Sequence, residues 1–414
     1  MHALPLTDIL AIDGGEPVRR TPFPSWPHFD SDDQEAVAAV LRSGRVNYWT
    51  GTEGHRFEQE FADWTGARHA VAVANGTVAL EIALRAWGAG PGDEVIVPAA
   101  TFIGTASAVV ACGAEPVVVD VDRDTQCLTA STVDPSITEH TKAVVVVHLA
   151  GFPADAPKLL ELARSRGLGL IEDCAQAHGA TVTGRGVGTF GDLAAWSFCQ
   201  DKIMTTAGEG GAITTNDEDL FRRCWELKDH GKSYHAVHQR TPRPPGFRWI
   251  HDSFGTNARM TEVQAAVGRS QLRKLSSWVA TRRSHGQLLR ESLQEAPALR
   301  IPRIPRGMDP VYYRFYAHIR TDDLAEGWTR DRVVEAINAE GVPCLHGGCA
   351  EIHRERAFAT TGRPAGTLPV AAELGATSLA LPLNPRLSDG DVRDMAHAVK
   401  RVLRTAATVP PGEA

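Results

Sequence analysis

The chain alternates between short, nearly continuous apolar runs and longer segments in which apolar residues recur at helical spacing. Segments of the second kind predict helices at Val78–Trp87, Gly104–Ala111 and Asp155–Arg166. The apolar runs predict seven strands, at His69–Ala74, Glu94–Val97, Pro116–Asp120, Ala143–Val147, Leu168–Glu172, Leu193–Phe198 and Gly211–Thr214. Short apolar strands separated by helices are buried on both faces, so the pattern predicts an α/β fold with a mostly parallel central sheet covered by helices.

The pattern changes near both ends of the chain. The polar cluster at residues 30–33 predicts a helix start, and a second helix through Phe57 and Phe61 is expected to end at Gly66. After about residue 275 the chain has long polar helices, at Ser276–Glu295, and a proline-rich connection. We therefore expect an N-terminal segment at 1–30, a large domain at 31–275 and a smaller C-terminal α+β domain at 276–414.

Composition narrows the class of protein. The 414 residues carry a net charge of −7, which does not fit a clustered basic surface for nucleic acid. No apolar run approaches the roughly 20 residues of a membrane span, and the N-terminus has no secretory signal pattern. The seven cysteines are scattered along the chain and odd in number, which indicates free thiols in a reducing compartment. We expect a cytoplasmic protein that binds neither nucleic acid nor membrane.

Polar residues follow the predicted strands, where open parallel sheets bind their ligands. Asn75-Gly76-Thr77 follows the first strand and opens a helix, so backbone N–H groups and a hydroxyl could bind a phosphate there. An N-capping turn without a ligand explains the same residues. Asp173 follows the fifth strand, where a buried carboxylate needs a partner such as a protonated pyridine nitrogen, unless it caps the next turn.

A third segment places a hydroxyl and an amine after another apolar strand. Ser197 ends this strand, and Lys202 follows in the loop that leads to the glycines of residues 208–211. A lysine in this position could form a Schiff base with an aldehyde. A lone lysine is usually solvated, but the ordered combination of motifs makes that interpretation less favourable here.

Two other signals have simpler explanations, and a third stays open. Residues 186–191 match GxGxxG, but they follow a polar stretch and precede a strand, which is the wrong context for a dinucleotide. A cluster of thiols and imidazoles lacks the paired spacing of a closed zinc site, so no metal is expected; it comprises Cys344, His346, Cys349 and His353. His148 at the end of a strand could contact substrate or simply pack, and both interpretations stay open.

Taken together, the motifs NGT, TFI, EDCAQAHGA, SFCQDK, GEGG and NARMTE resemble those of the DegT/DnrJ/StrS sugar aminotransferase family. The likeness extends over nearly the whole chain, from Gly14 to the C-terminal helix. It implies a fold-type-I enzyme that uses pyridoxal 5'-phosphate (PLP). It also implies a homodimer with active sites at the interface.

The resemblance also implies a role for each matching residue. Lys202 would hold the cofactor and carry the proton during transfer, and Asp173 would pair with the pyridine nitrogen. The other implied cofactor contacts are Gly76, Thr77 and Ser197 to the phosphate, Phe102 on the ring face, Gln176 near the ring hydroxyl and Asn257 reaching the cofactor of the partner subunit. Tyr48, His148, Arg314 and His346 are the expected substrate contacts.

The implied activity is transfer of an amino group from glutamate or glutamine to a keto-sugar, linked to a nucleotide, in amino-sugar or antibiotic biosynthesis. A free keto-cyclitol of the scyllo-inosose type is the alternative acceptor. A PLP-dependent dehydratase is less favoured because Lys202 is present. A non-catalytic PLP-binding regulator is also less favoured, because this sequence shows no added DNA-binding region. The segment CQDKIMT and Arg314 depart from the commoner family pattern, which leaves the acceptor open.

Overall fold

The computed structural model describes residues 9–238, 250–360 and 366–408. Within these ranges the α-helices are α1 (Ser31–Ser43), α2 (Glu53–Thr65), α3 (Gly76–Trp87), α4 (Gly104–Ala111), α5 (Ala130–Val133), α6 (Ala156–Arg166), α7 (Glu218–Lys228), α8 (Tyr234–His238), α9 (Glu262–Leu293), α10 (Arg330–Ala339), α11 (Pro369–Thr377) and α12 (Asp389–Ala406). The strands are β1 (His69–Val73), β2 (Glu94–Pro98), β3 (Glu115–Val119), β4 (Thr141–Val147), β5 (Gly169–Asp173), β6 (Thr181–Val182), β7 (Arg185–Gly186), β8 (Leu193–Ser197), β9 (Gly211–Thr215), β10 (Leu299–Arg300), β11 (Met308–Asp309), β12 (Arg314–Ile319) and β13 (Ser378–Pro382).

The seven predicted strands form one sheet, in the order β1-β9-β8-β5-β4-β2-β3. The strands from β8 to β3 in this order pair in parallel, which confirms the prediction of a mostly parallel sheet. Strand β9 differs, because it runs antiparallel to both β8 and β1. Its direction follows from its connection, since residues 198–210 turn back directly where a parallel pair would need a crossover helix.

Side chains alternate between two apolar layers along the strands, as period-2 geometry requires. On one face, residues such as Val95 and Val145 pack against α3, α4 and α7. On the other face, Trp196 packs against Phe57 and Phe61 of α2 and against residues of α9. Both faces are therefore covered, and polar groups can reach a cavity only at the ends of the strands.

Helix α9 joins the central sheet to the C-terminal part of the chain. It begins at Glu262, so the predicted start at Ser276 is wrong; the capping box of Thr261 and Gln264 satisfies the first free N–H groups. Beyond α9, strands β10, β12 and β13 form a small sheet that shares a core with α10 and α12. The expected domain boundary after residue 275 falls inside α9, and that division stays a prediction.

No helix in the described ranges is both long enough and apolar enough to cross a membrane.

The GxGxxG segment binds a carboxylate of the protein itself. Both carboxylate oxygens of the fully buried Glu172 accept hydrogen bonds from backbone N–H groups of this loop, at 2.8 Å from Gly188, 2.8 Å from Phe190 and 2.7 Å from Gly191. His148 Nε2 lies 3.1 Å from Glu172 Oε2. Burial raises the pKa of Glu172, but these hydrogen bonds outweigh it and keep the pKa below its ordinary value of 4.5.

We expect Glu172→Gln to lower the free energy of unfolding by about 2 to 4 kcal/mol, because an amide NH₂ would face donor groups. Urea unfolding measures the loss, and Glu81→Gln, which affects a partly exposed pair with Arg85, should cost less than about 1 kcal/mol. Since the folded pKa is lowered, the wild-type contribution should be present above pH 4.5 and disappear as the pH falls below it. Equal losses in the two variants would contradict this role for Glu172.

Candidate active site

A cavity of about 840 Å³ opens where the parallel strands end. Residues from the loops after β1, β2, β5 and β8 line it, together with residues at the start of β12. Eight of the twelve residues expected at the site lie in its wall: Gly76, Thr77, Phe102, Asp173, Gln176, Ser197, Lys202 and Arg314. The sheet topology therefore gathers groups that are distant in the sequence.

One end of the cavity is suited to an anion. The side chain of Asn75 caps α3 by accepting a hydrogen bond from Val78 N at 2.9 Å, so the helix N-terminus opens at Gly76 and Thr77. A Cβ atom at position 76 would lie 2.6 Å from Ser197 Cβ, which is too close for any side chain. Glycine thus allows the helix N-terminus and the serine hydroxyl to share one small space, where the helix dipole favours negative charge.

A carboxylate lies deeper in the cavity. Asp173 is 6% exposed and accepts hydrogen bonds from Thr105 Oγ1 and from Ala175 N, both at 3.1 Å. Burial raises the pKa of Asp173, although these hydrogen bonds and the charge of Lys202 oppose the shift. Both groups that donate to Asp173 in the described part of the chain are uncharged, so a positively charged nitrogen in the cavity would stabilise its ionised form.

Lys202 brings an amine into the same space. Its backbone is fixed from behind, because Trp26 Nε1 donates a hydrogen bond to the Lys202 carbonyl at 2.8 Å. Its Nζ atom lies 3.5 Å from Asp201 Oδ1 and 5.0 Å from the centre of the Tyr313 ring. The side chain is only 16% exposed, so the amine faces the cavity rather than bulk solvent.

Two further residues shape the walls. The Phe102 side chain is 69% exposed, and its ring occupies the space next to Gly104, where a Cβ would lie 2.9 Å from it. This ring offers an apolar face to a planar ligand. Gln176 Oε1 accepts a hydrogen bond from Ala150 N at 2.7 Å, which fixes the amide and leaves its NH₂ group as a donor.

Four of the expected residues lie outside the cavity wall. Tyr48 is buried, donates to Glu58 Oε2 at 2.9 Å and lies under Lys228 Nζ, so its expected substrate contact is not supported. His148 is also buried, where Nδ1 accepts from Ala154 N at 3.0 Å and Nε2 faces Glu172. The packing interpretation of His148 is therefore the better one.

The other two residues outside the wall are on the surface. His346 is 58% exposed beside Asp331, so the structure does not bring it to the cavity. Asn257 is exposed and pairs through its backbone with Asp229, outside the cavity of its own chain. The cysteine and histidine cluster also stays apart, because no three of its ligand atoms come within 4.8 Å of one another in the described chain.

Sequence reasoning missed three groups that the structure places at the site. Thr105 donates to Asp173, and Tyr313 donates to Asp201 beside Lys202. Thr105 follows the TFI motif by two residues, and Asp201 lies directly before Lys202. Their closeness to these motifs could therefore have indicated both residues. Tyr313 could not be found in this way, since its contact spans 112 residues.

Comparisons with known proteins agree over most of the chain. A family model described as the DegT/DnrJ/EryC1/StrS aminotransferase family matches residues 27–400. The L-glutamine:2-deoxy-scyllo-inosose aminotransferase of Streptoalloteichus tenebrarius is 38% identical, with 95% of this chain and 97% of the relative covered. The dTDP-3-amino-3,4,6-trideoxy-alpha-D-glucose transaminase of Streptomyces venezuelae is 37% identical, with 89% and 92% covered. The crystal structure of an aminotransferase from Psychrobacter cryohalolentis aligns with a TM-score of 0.88 at 47% identity, covering 91% and 98%.

The close approach at Gly76 can be tested without any ligand. Gly76→Ala would press a methyl group against Ser197, and we expect it to lower the free energy of unfolding by about 1 to 3 kcal/mol. Gly90→Ala is the matched control, because a Cβ there meets no atom within 4 Å. Chemical denaturation of both variants measures the difference, and an undisturbed Gly76→Ala protein would show that the helix and the serine are not closely packed.

Proposed function

The chain belongs to the DegT/DnrJ/EryC1/StrS aminotransferase family, and we propose that it moves an amino group from glutamate or glutamine to a keto-sugar or keto-cyclitol, using PLP. The enzyme is an aminotransferase, and the family is PLP-dependent. Its relatives act on both kinds of acceptor, one on 2-deoxy-scyllo-inosose and another forming a dTDP-linked amino sugar. One observation supports the proposal most strongly: an amine, a buried carboxylate and a helix N-terminus line the same cavity.

The residues present fit PLP at three points. The N-terminus of α3 with Ser197 would hold the phosphate, where backbone N–H groups and the helix dipole favour an anion. Asp173, whose pKa is raised by burial, would pair with the protonated pyridine nitrogen. Lys202 would hold the aldehyde carbon, with the ring of Phe102 beside the pyridine. We assign Gln176 to the ring hydroxyl, since its oxygen is already bonded to Ala150 N.

The cofactor supplies an electron-accepting ring, which makes the proton on the amino-bearing carbon easier to remove. Lys202 would perform the proton transfer when its amine is free, because Nζ can take the proton from the amino-bearing carbon of the substrate and deliver it to the former aldehyde carbon of the cofactor. Asp173 holds the positive charge of the ring nitrogen throughout. Apart from Lys202, Arg314 is the one cationic side chain among the described residues that line the cavity, and we assign it to an anionic group of the substrate.

The first test is the visible absorbance spectrum of the purified protein with PLP, before and after glutamate or glutamine is added. We expect a band from lysine-linked PLP that either donor removes, followed by recovery of the band when a keto-sugar or an inosose is added. In Lys202→Ala the band should be absent, and turnover should fall by at least about a hundredfold. A band that no amino donor changes would argue against amino transfer, and no band at all would remove Lys202 from its role.

Asp173→Ala should bind PLP weakly and lose nearly all activity, because the ring nitrogen would have no counter-charge. Asp173→Asn keeps the shape of the side chain and removes only the charge, so it should lose activity to a similar degree. Binding of PLP is measured by equilibrium dialysis and turnover by release of 2-oxoglutarate from glutamate. Near-normal turnover in both variants would contradict the assignment.

We further propose that the active unit is a homodimer in which Asn257 of one subunit completes the cofactor site of the other. Asn257 is exposed and outside the cavity of its own chain, which leaves it free to reach a second subunit. Inactive Lys202→Ala and Asn257→Ala chains should therefore regain activity when they are mixed and refolded together. Half of the dimers would be mixed and each would have one intact site, so about a quarter of the wild-type activity is expected. No recovery by mixed dimers would contradict a shared site.

A further inference from the structure

The two segments in which the chain departs from the commoner family pattern meet in the wall of the cavity. Asp201, in the first segment, accepts a hydrogen bond from the hydroxyl of Tyr313. Arg314, in the second segment, has Nη2 3.7 Å from Asp201 Oδ2. The other oxygen of Asp201 is 3.5 Å from Lys202 Nζ. We call Asp201, Lys202, Tyr313 and Arg314 the Asp201 cluster.

A strained backbone brings Tyr313 into this cluster. Tyr312 is buried with φ of 51°, a left-handed conformation that is unfavourable for a non-glycine residue. Two glycines make room for it: a Cβ at Gly286 would lie 2.3 Å from the Tyr312 ring, and one at Gly151 would lie 2.8 Å from Tyr313 N. Arg282, which is fully buried, donates from Nη1 to the Tyr312 carbonyl at 3.3 Å. The surrounding structure thus fixes the direction of Tyr313.

The cluster keeps Asp201 ionised. Burial raises the pKa of Asp201, but the charge of Lys202, the hydroxyl of Tyr313 and the charge of Arg314 outweigh it and hold the pKa below its ordinary value. An ionised carboxylate at 3.5 Å attracts the amine of Lys202 and limits where this amine can go.

We propose that Asp201 is a positioning residue, which holds the free amine of Lys202 beside its carboxylate and directs it into the cavity. The inference rests on the proposed function, in which Lys202 is released from the cofactor during each turnover. Tyr313 anchors the carboxylate, so that Asp201 does not follow the amine when it moves. Arg314 shares the same carboxylate and is thereby kept at the substrate side of the cavity.

Other titratable groups also act on Lys202. Asp173 faces it from the end of β5, and Cys199 from the loop after β8. His178 is buried nearby, and burial together with the charges of Lys202 and Arg282 lowers its pKa to about 3, so it is neutral at physiological pH. Asp201 differs from these groups because its carboxylate lies within ion-pair distance of Lys202 Nζ.

The test substitution is Asp201→Asn, which keeps an acceptor for the Tyr313 hydroxyl and removes only the charge. Because the Asp201 side chain is 45% exposed, we expect little change in folding stability. Glu209→Gln is the matched control. Glu209 also lines the cavity, but its carboxylate lies near Cys199 Sγ, at 3.8 Å.

The readout does not depend on activity. The full chain is freed of PLP by dialysis, its unfolding midpoint is compared with that of untreated protein, and Lys202 is labelled with a neutral amine-reactive reagent at one fixed pH. Peptide mass spectrometry gives the labelling rate. Asp201→Asn should label about three to ten times faster than wild type, because its amine is no longer held against a charged carboxylate. Glu209→Gln should follow wild type.

Equal labelling rates in wild type and Asp201→Asn would overturn the proposal. So would the same increase in labelling rate in Glu209→Gln. A protein that labels as expected but never binds PLP would instead contradict the proposed function, so the two failures can be distinguished.

Steady-state kinetics of the PLP-loaded enzyme gives a second measurement. Asp201→Asn should lower kcat by about tenfold while KM for both substrates changes little, because the carboxylate acts on Lys202 and not on substrate. Asp201→Glu, which restores the charge, should recover part of kcat, and Tyr313→Phe should show a smaller loss than Asp201→Asn. A change confined to KM, or a failure of Asp201→Glu to exceed Asp201→Asn, would contradict a positioning role.

Discussion

The hydrogen-bonded carboxylate of Glu172, at the end of β5, fixes the ends of the strands that border the cavity. Because side chains alternate along a strand, Glu172 and Asp173 point to opposite faces. Glu172 is fully satisfied by the loop at 186–191 and by His148, which connects β4, β5 and the approach to β8. Asp173 accepts hydrogen bonds only from Thr105 and Ala175 among the described residues, and it lines the cavity. One buried carboxylate thus fixes the strand ends, and its neighbour faces the cavity.

Much of this architecture could be predicted from the sequence because it follows from local rules. Runs such as Ala143–Val147 have few options other than a doubly buried strand, and all seven predicted strands lie within two residues of their observed bounds. The direction of β9 could not be predicted in this way, since it depends on how residues 198–210 fold. The substrate contacts expected of Tyr48 and His148 are not supported for a different reason. The polar group of each side chain can make a buried hydrogen bond as well as contact a substrate, and the sequence does not distinguish the two.

The remaining gap concerns which distant segments meet. The sequence shows that residues around Lys202 and around Arg314 depart from the commoner pattern, but it does not indicate that they share a carboxylate. That contact depends on a left-handed tyrosine, two glycines on other elements and a buried arginine from α9. Each of these is unremarkable by itself. Their combination places the departures of this chain around the amine of Lys202, where they can change the cavity without changing the fold.

The hydrogen bond from Trp26 to the carbonyl of Lys202 has a practical consequence for protein engineering. The family model begins at residue 27, so an expression fragment trimmed to that boundary would omit the indole that supports the loop of Lys202. Such a fragment would retain the whole central sheet and lose a hydrogen bond that fixes this loop. Fusion proteins and shortened variants should therefore keep this N-terminal segment, which supports the cavity wall although it lies outside the sheet.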